Sequence, residues 1–172
     1  MFKSGFVSVI GRSNVGKSTL LNRILGEKLT IISDKHQTTR NKIQLIYTDE
    51  NMQAIFLDTP GIQTPKNKLG DYMLKVSMST LNEVDVITYI VDTTEEIGKL
   101  DSEIIKKLKL VNTKIILLIN KTDKISSDNV NEIVEMYSKV GIFEEIIPIS
   151  ALNGDNVEGY LTSLKNNLPE GP

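Results

Sequence analysis

The chain of 172 residues is long enough for one domain with a sizeable core, because 40% of its residues are hydrophobic. Its formal net charge of −2, from 20 basic and 22 acidic residues, excludes a global field that would recruit nucleic acid or an anionic membrane. The absence of cysteine excludes disulfides and cysteine metal sites, and no apolar run approaches the ~20 residues of a membrane span.

Strand and helix patterns alternate along the chain, which predicts an α/β architecture with a mainly parallel sheet. An apolar strand at 6–10 precedes a helix whose apolar residues lie within 20–25. Residues 28–40 are polar and irregular, and they are predicted to form a loop. Alternating residues at 43–48 and an apolar segment at 52–57 then predict an edge hairpin.

The second half of the chain continues this alternation. Two prolines and two glycines predict a loop at 60–70. Three further strands are predicted at 84–91, 115–119 and 145–149. Helices are predicted at about 71–82 and where apolar residues recur at helical spacing, as they do at Leu100, Ile104, Leu108 and Val111, at Val130, Ile133, Val134 and Tyr137, and at Val157, Tyr160, Leu161, Leu164 and Leu168.

A glycine-rich segment at 11–18 has the sequence G-R-S-N-V-G-K-S, which fits the G-x-x-x-x-G-K-S pattern of a phosphate-binding loop. It lies between a predicted strand and a predicted helix, the context that the pattern requires. Gly11 and Gly16 leave room for backbone N–H groups around a phosphate, and Lys17 extends toward the outer phosphates. Ser18 offers a hydroxyl to Mg²⁺. The segment therefore predicts binding of a nucleoside triphosphate.

Asp58, Thr59, Pro60 and Gly61 follow the strand at 52–57, at the carboxyl edge where open α/β sheets bind ligands. A carboxylate at this edge can hold Mg²⁺ through water, and a glycine N–H can contact the outer phosphate. The alternative is an ordinary turn. The preceding phosphate loop favours the functional interpretation.

Asn120, Lys121 and Asp123 close the apolar strand at 115–119. Asp123 can accept two parallel hydrogen bonds from the N1–H and N2–H groups of guanine, which adenine cannot donate. The aliphatic stem of Lys121 can cover the base. The alternative is a polar loop before a helix, for which Asp128 is a plausible N-cap. Spacing and sheet position favour recognition of guanine.

Ser150 and Ala151 follow the last predicted strand, at 145–149. They are small, so their backbone N–H groups are accessible to a ligand. At this position in the sheet those groups can meet the O6 atom of guanine.

The loop after the first helix contains Thr38 and Thr39, candidates for a hydroxyl on Mg²⁺ and a backbone N–H on the γ-phosphate in an order–disorder switch. The alternative is a solvated pair of threonines. His36 is the only histidine and is expected to be exposed and structural, since the sequence pairs nothing with it. Arg12 and Arg40 can in principle stabilise transition-state charge, but pairing with an acidic neighbour at the surface is expected.

These segments together resemble the five G motifs of the translation-factor-class small GTPases. The matching positions are 11–18, Thr39, 58–61, 120–123 and 150–151. More narrowly, residues 14–22, 33–40 and 58–62 are similar to the bacterial Era family, and Q-T-T-R at 37–40 carries this narrower resemblance. The resemblance covers essentially the whole chain. Ser13 replaces the proline that is usual in the family, which leaves the phosphate cradle usable.

The resemblance implies a Ras-like P-loop G domain with a six-stranded, mostly parallel sheet, one antiparallel edge strand and helices on both faces. It implies an enzyme that hydrolyses GTP to GDP and phosphate. The residues expected to hold the nucleotide are Gly11, Arg12, Ser13, Asn14, Val15, Gly16, Lys17, Ser18, Thr19, Thr39, Asp58, Gly61, Asn120, Lys121, Asp123, Ser150 and Ala151. Those expected to hold Mg²⁺ are Ser18, Thr39 and Asp58. The catalytic set is Asn14, Lys17, Thr39 and Gly61.

Ile62 occupies the position where Ras-type enzymes have a glutamine that orients the attacking water. Its side chain has neither donor nor acceptor, so another group must stabilise the transition state. Asn14 is the candidate, because related GTPases use such an asparagine to hold K⁺ beside the β- and γ-phosphates. The alternative is that Asn14 only braces the loop.

The Era family further implies a cytoplasmic protein, also associated with the membrane periphery, that assists 16S rRNA processing and 30S ribosomal subunit assembly. It binds the rRNA through a C-terminal KH domain, which is absent here. We expect residues 1–168 to form the G domain and residues 169–172 to begin a linker in a truncated chain. A monomer is expected.

Three alternatives remain open from the sequence. The chain can be the G domain of a related GTPase of the Der or MnmE type, or a GTP-dependent scaffold that does not hydrolyse the nucleotide. A third alternative, an rRNA-binding module in its own right, is disfavoured by the near-neutral charge and by the absence of a KH-type G-x-x-G loop.

Overall fold

Helices flank a β-sheet, as the alternating pattern predicts. The computed structural model describes residues 2–12, 15–33, 43–57, 78–94 and 96–171, without the side chains of 25–33, 43, 44 and 78–80. The strands are β1 Lys3–Ile10, β2 Leu29–Ser33, β3 Ile43–Thr48, β4 Met52–Leu57, β5 Val86–Val91, β6 Lys114–Ile119 and β7 Glu145–Pro148. The helices are α1 Lys17–Lys28, α2 Met78–Glu83, α3 Lys99–Leu108, α4 Ser127–Ser138 and α5 Val157–Asn167, with a 3₁₀ helix at Thr122–Lys124.

The strands form one sheet in the order β2-β3-β4-β1-β5-β6-β7. β1 pairs in parallel with β4 and β5, and β6 and β7 continue in the same direction. β3 is antiparallel to both of its neighbours. The mostly parallel architecture and the β3–β4 hairpin are confirmed. Because the parallel strands end at the same edge, the segments that follow them are brought together there.

β2 is a seventh strand that joins the six predicted ones. It corrects the prediction of a loop over 28–40, because residues 29–33 pair with β3 from Leu29 opposite Tyr47 to Ser33 opposite Ile43. No turn residues separate β2 from α1, so the sequence pattern does not mark its start. Its β-branched residues nevertheless favour a strand. β2 takes the edge of the sheet, and the antiparallel strand β3 lies one position inside it.

The sheet has an apolar cluster on each face. One cluster joins β1 and β4 to α1 and α5, and it includes Leu20, Ile24 and Tyr160. The other joins β5 and β6 to α2, α3 and α4, and it includes Ile104 and Tyr137. Every residue of β5 is buried, as expected for a central strand covered on both sides.

The helix starts and ends refine the predictions. Ser126, rather than Asp128, is the N-cap of α4, and its hydroxyl accepts a hydrogen bond of 3.3 Å from the backbone N–H of Asn129. The helix predicted at about 71–82 is described only from residue 78 onward. None of the helices in the described ranges is long and apolar enough to cross a membrane.

The segment after α5 lies along the start of β1. The backbone N–H of Ser4 donates to the Pro169 carbonyl at 3.0 Å, and that of Gly171 donates to the Phe2 carbonyl at 3.0 Å. Lys3 and Glu170 form an antiparallel bridge between these two bonds. Residues 169–171 therefore extend the contacts of the sheet at the end opposite the candidate site.

Candidate functional site

The phosphate-loop segment lies between β1 and α1 at the carboxyl edge of the sheet. β1 ends at Ile10 and α1 begins at Lys17, so the expected order of strand, loop and helix is present. Ser18 and Thr19 occupy the first turn of α1, where helix N–H groups lack partners within the helix. Such a helix start favours a bound anion.

Lys17 is buried at the base of this loop. Its side chain is 5% exposed, and its Nζ donates a hydrogen bond of 3.0 Å to the carbonyl of Gly11. Desolvation lowers the pKa of the ammonium from 10.5 to about 8. A buried cation in this position is stabilised by a negatively charged ligand, which a phosphate would provide.

Gly16 lies directly against Asn120. Its φ of +104° is in a region that L side chains rarely adopt, and a Cβ built on it would lie 2.1 Å from Asn120 Nδ2. Only glycine allows the loop to approach the end of β6 this closely. The glycine requirement at position 16 thus comes from a protein contact as well as from the expected phosphate.

Asn120 bridges two loops of the site. It is 3% exposed, its amide Nδ2 donates to the Val15 carbonyl at 2.8 Å, and its Oδ1 accepts from the Ala151 N–H at 2.9 Å. Both polar atoms of the side chain are therefore used to join the phosphate loop to the turn after β7. Sequence reasoning assigned Asn120 to the nucleotide and missed this bridging contact.

Lys121 has a left-handed backbone, with φ 67° and ψ 31°. Strain of this kind in a residue other than glycine costs on the order of 1 kcal/mol and recurs at functional sites. Its Nζ lies 3.2 Å from Oδ2 of Asp92, the residue that follows β5. Asp92 was not predicted, although a carboxylate immediately after a buried strand at this edge was a usable signal.

Asp123 and Ser150 meet across the ends of β6 and β7. The Ser150 hydroxyl donates to Asp123 Oδ1 at 2.8 Å, and Ser150 is fully buried while Asp123 is exposed. Thr122 supports the same junction, since its hydroxyl donates to the Ile149 carbonyl at 2.8 Å. The Ser150 hydroxyl therefore fixes the orientation of the Asp123 carboxylate, while the rest of this side chain is exposed to solvent.

The N–H groups expected to face guanine O6 already have acceptors in the protein. The Ser150 N–H donates to the Asp155 carbonyl at 3.0 Å, and the Ala151 N–H donates to Asn120. In this arrangement a ligand acceptor would share the Ala151 donor with Asn120 or use a neighbouring N–H of the same turn. The turn is in the expected place, but its donors are engaged more than the sequence suggests.

Arg12 is paired with an acidic side chain, as expected. Its partner Asp101 is buried rather than at the surface, with 3.0 Å between Arg12 Nε and Asp101 Oδ2. The hydroxyl of Tyr89 donates to Oδ1 of the same carboxylate at 2.6 Å. The phosphate loop is thereby attached to α3 and β5.

Several predicted site residues lie outside the described residues, namely Ser13, Asn14, His36, Thr38, Thr39, Arg40, Asp58, Thr59, Pro60, Gly61 and Ile62. Of the three expected Mg²⁺ ligands, only Ser18 is described. Within the described part of the chain, no three His, Cys, Asp or Glu side chains cluster closely enough to hold a metal ion.

Comparison with known proteins shows which family this chain matches. A family model described as 50S ribosome-binding GTPase matches residues 6–121. GTPase Era from Clostridioides difficile (strain 630) is 54% identical over 173 residues, which cover 100% of this chain and 58% of the relative. GTPase Era from Alkaliphilus oremlandii (strain OhILAs) is 54% identical over 171 residues, covering 99% of this chain and 58% of the relative. The chain thus spans a little over half the length of these relatives.

Solved structures give the same result. The structure of Era in complex with MgGDPNP and nucleotides 1506–1542 of 16S ribosomal RNA has a TM-score of 0.77 and 42% identity, and the match covers 100% of this chain and 59% of that one. A variant of Aquifex aeolicus Era bound to GDP.AlF4- has a TM-score of 0.76 and 42% identity, with coverage of 99% and 59%. The match to the family model over residues 6–121 therefore shows that the chain belongs to the family described as 50S ribosome-binding GTPase. The chain is similar to Era over its whole length.

Proposed function

We propose that the chain binds GTP with Mg²⁺ and hydrolyses it to GDP and phosphate as a switch. The observation that carries the proposal is the bridge made by Asn120, which holds Val15 at 2.8 Å and Ala151 at 2.9 Å. This bridge fixes a phosphate loop relative to a turn that flanks the solvent-facing carboxylate of Asp123. The similar Era structures contain MgGDPNP and GDP.AlF4-, which supports the same class of ligand.

At the phosphate end, the backbone of the loop and the ammonium of Lys17 bind the nucleotide. The burial of Lys17 and its lowered pKa fit a phosphate, because the anion would replace the lost hydration of the cation. The nucleotide-binding residues of this loop are Gly11, Arg12, Ser13, Asn14, Val15, Gly16, Lys17, Ser18 and Thr19.

Mg²⁺ would be held by Ser18, Thr39 and Asp58. Ser18 lies in the first turn of α1, one residue beyond the buried ammonium, which suits a hydroxyl ligand beside the outer phosphates. When bound, the ion neutralises charge on the β- and γ-phosphates. Oxygen ligands from a hydroxyl and a carboxylate are those that Mg²⁺ prefers.

At the base end, the Asp123 carboxylate accepts hydrogen bonds from the N1–H and N2–H groups of guanine. The Ser150 hydroxyl, at 2.8 Å from Asp123 Oδ1, holds the carboxylate in one orientation. The stem of Lys121 covers the base while Asp92 anchors its ammonium. Ser150 and Ala151 bring the turn after β7 to the O6 side.

Hydrolysis in this proposal is mainly electrostatic. Lys17 and backbone N–H groups stabilise the charge that develops during phosphoryl transfer. Asn14 would hold a K⁺ ion, which would supply further positive charge beside the β- and γ-phosphates. Loss of the γ-phosphate then releases Thr39 and Gly61 from the ligand. The change in these two loops is the output of the switch.

The curated relatives are longer than this chain, which covers 58% of each. We propose that residues 1–168 form the G domain and that 169–172 begin a linker. Similarity to Era, one of whose structures contains 16S rRNA, supports a role in 16S rRNA processing and 30S subunit assembly. The net charge of −2 supports placing RNA binding outside this chain. We further propose a cytoplasmic monomer whose parent protein associates peripherally with the membrane.

The test of the guanine site is Asp123→Asn. The substitution places a donor opposite N1–H and N2–H, so GDP affinity should fall by a factor of at least about 100. Xanthosine diphosphate, which presents an oxygen at position 2, should gain affinity. Competition against a fluorescent nucleotide measures both changes.

Asp128→Asn is the matched control, since this exposed aspartate lies in the first turn of α4. It should leave the preference for guanine unchanged. An Asp123→Asn variant that still prefers GDP to xanthosine diphosphate would remove Asp123 from the site.

A further inference from the structure

Arg23 joins α1 to the turn after β7. Its Nε donates a hydrogen bond of 3.1 Å to the carbonyl of Ala151, and its Nη2 donates to the carbonyl of Leu152. One guanidinium therefore holds two successive backbone carbonyls, a geometry that lysine cannot reproduce with one compact ammonium. Arg23 lies in the second turn of the helix that begins at Lys17.

The turn at 150–154 leaves space for this guanidinium. Gly154 has a φ of +85°, and a Cβ on it would lie 3.0 Å from Arg23 Nη1. The turn is also closed on itself, because the Gly154 N–H donates to the Ser150 carbonyl at 2.7 Å and the Asn153 N–H donates to the Ser150 hydroxyl at 3.2 Å. The turn is therefore a compact unit, and a few hydrogen bonds from neighbouring side chains are enough to fix its position.

Two sets of contacts hold this unit. Asn120 accepts from the Ala151 N–H, and Ser150 donates to Asp123, so the side of the turn facing the loop after β6 is fixed. Arg23 binds the carbonyls of Ala151 and Leu152. Because a trans peptide is planar with its C=O and N–H opposed, binding of the Ala151 carbonyl also sets the direction of the Leu152 N–H.

We propose that Arg23 is a specificity-determining positioning residue that fixes the turn at 150–154 so that the N–H groups of Ala151 and Leu152 face position 6 of the bound purine. The inference rests on the proposed guanine site and extends it, since Arg23 contacts the turn and not the nucleotide. Because α1 begins at Lys17 and contains Arg23, this helix connects the phosphate end of the site to the base end. The bridge through Asn120 is a second connection between the same two ends.

The test compares three diphosphates that differ at positions 1, 2 and 6 of the base. GDP has O6, the N1–H and the 2-amino group, 2-aminopurine riboside diphosphate lacks both O6 and the N1–H, and inosine diphosphate lacks the 2-amino group. Dissociation constants are measured for the unmodified protein, Arg23→Ala and Arg23→Lys. Asn22→Ala serves as the control, because Asn22 is an exposed neighbour on the same helix.

We expect Arg23→Ala to weaken GDP binding about tenfold, the scale of a charge-assisted hydrogen bond, and to leave 2-aminopurine riboside diphosphate within about twofold. The preference for GDP over inosine diphosphate, which Asp123 reads, should be retained. Arg23→Lys should be intermediate, and Asn22→Ala should match the unmodified protein. Hydrogen exchange at 150–154 in the nucleotide-free Arg23→Ala protein should be faster, with no change at β1.

Equal weakening of all three diphosphates by Arg23→Ala would overturn the proposal, since it would show that Arg23 only supports the fold. Unchanged exchange at 150–154 would also overturn it, whatever the affinities. An unmodified protein that does not distinguish GDP from ADP would instead show that the proposed guanine site is wrong.

Discussion

The guanidinium of Arg12 lies 3.0 Å from the carboxylate of Asp101, which is 2% exposed. Tyr89 completes the contact by donating its hydroxyl to the other carboxylate oxygen at 2.6 Å. Burial and the neighbouring Asp101 raise the pKa of Tyr89 far above its usual range, so the phenol remains a donor. The phosphate loop is thus attached at Arg12 to α3 and at Val15 to Asn120, with only Ser13 and Asn14 between the two attachment points.

Arg12→Ala should destabilise the nucleotide-free protein by about 2–3 kcal/mol, because it leaves a buried carboxylate without its cation. Urea denaturation measures the free energy of unfolding. Adding Asp101→Asn to this variant should restore most of the loss, since the amide is neutral and still accepts from Tyr89. A single variant as stable as the unmodified protein would show that the pair contributes nothing.

Gly16→Ala should disrupt the bridge to Asn120. A methyl group at this position would lie 2.1 Å from Asn120 Nδ2, and the φ of +104° disfavours any side chain. We expect a lower melting temperature and loss of GDP binding. Gly98→Ala is the matched control, because a Cβ there meets nothing within 4 Å. It should leave GDP binding unchanged and lower the melting temperature only slightly, since Gly98 is the N-cap of α3. Normal GDP affinity in Gly16→Ala would contradict the close contact between Gly16 and the Asn120 side chain.

Lys17 makes the stability of the nucleotide-free protein depend on pH. Its pKa of about 8 in the folded chain lies below the ordinary 10.5, so between these values the unfolded chain binds more protons. Stability should therefore rise with pH across this interval, and the full cost of the buried charge applies below pH 8. Relative to Lys17→Met, the unmodified protein should gain up to about 3 kcal/mol between pH 7 and 10.5.

The comparison with Lys17→Met cancels the titration of the other lysines. Urea denaturation at several pH values measures the difference. A difference that does not change between pH 7 and 10.5 would mean that the ammonium is better solvated than its burial indicates.

Hydrolysis of GTP should be faster in K⁺ than in Na⁺ and should lose this difference in Asn14→Ala, with GDP affinity nearly intact. The reason is the proposed cation beside the β- and γ-phosphates, which would replace the glutamine absent at Ile62. Phosphate release under multiple-turnover conditions measures the rate, and it also separates an enzyme from a non-hydrolysing scaffold. Identical rates in the two salts would assign the catalytic group to a partner.

The sequence predicts the parts of the site that consist of local chemistry. A glycine-rich loop before a helix and polar segments after apolar strands identify 11–18, 120–123 and 150–151, because strand ends at one sheet edge must meet. The sequence does not predict which distant residues join these parts. Arg12 and Asp101 are 89 positions apart, and Arg23 and Ala151 are 128 apart, so their contacts depend on helix placement that no local pattern encodes.

The same limit explains the missed strand. β2 takes its pairing from β3, which begins at Ile43, and it follows α1 with no intervening turn. Turn residues mark the boundaries between elements, and prediction from local sequence depends on these marks. Where they are missing, only tertiary pairing separates a polar loop from an edge strand.

The pairing of Gly171 with Phe2 determines how the protein can be handled. Both residues lie at the amino end of β1, whose eight residues span roughly 25 Å before the phosphate loop begins. A biotin, fluorophore or surface tether attached beside Phe2 or Gly171 would therefore sit on the far side of the sheet from the proposed nucleotide site. A molecule immobilised through either residue would present the carboxyl edge of the sheet to the solution.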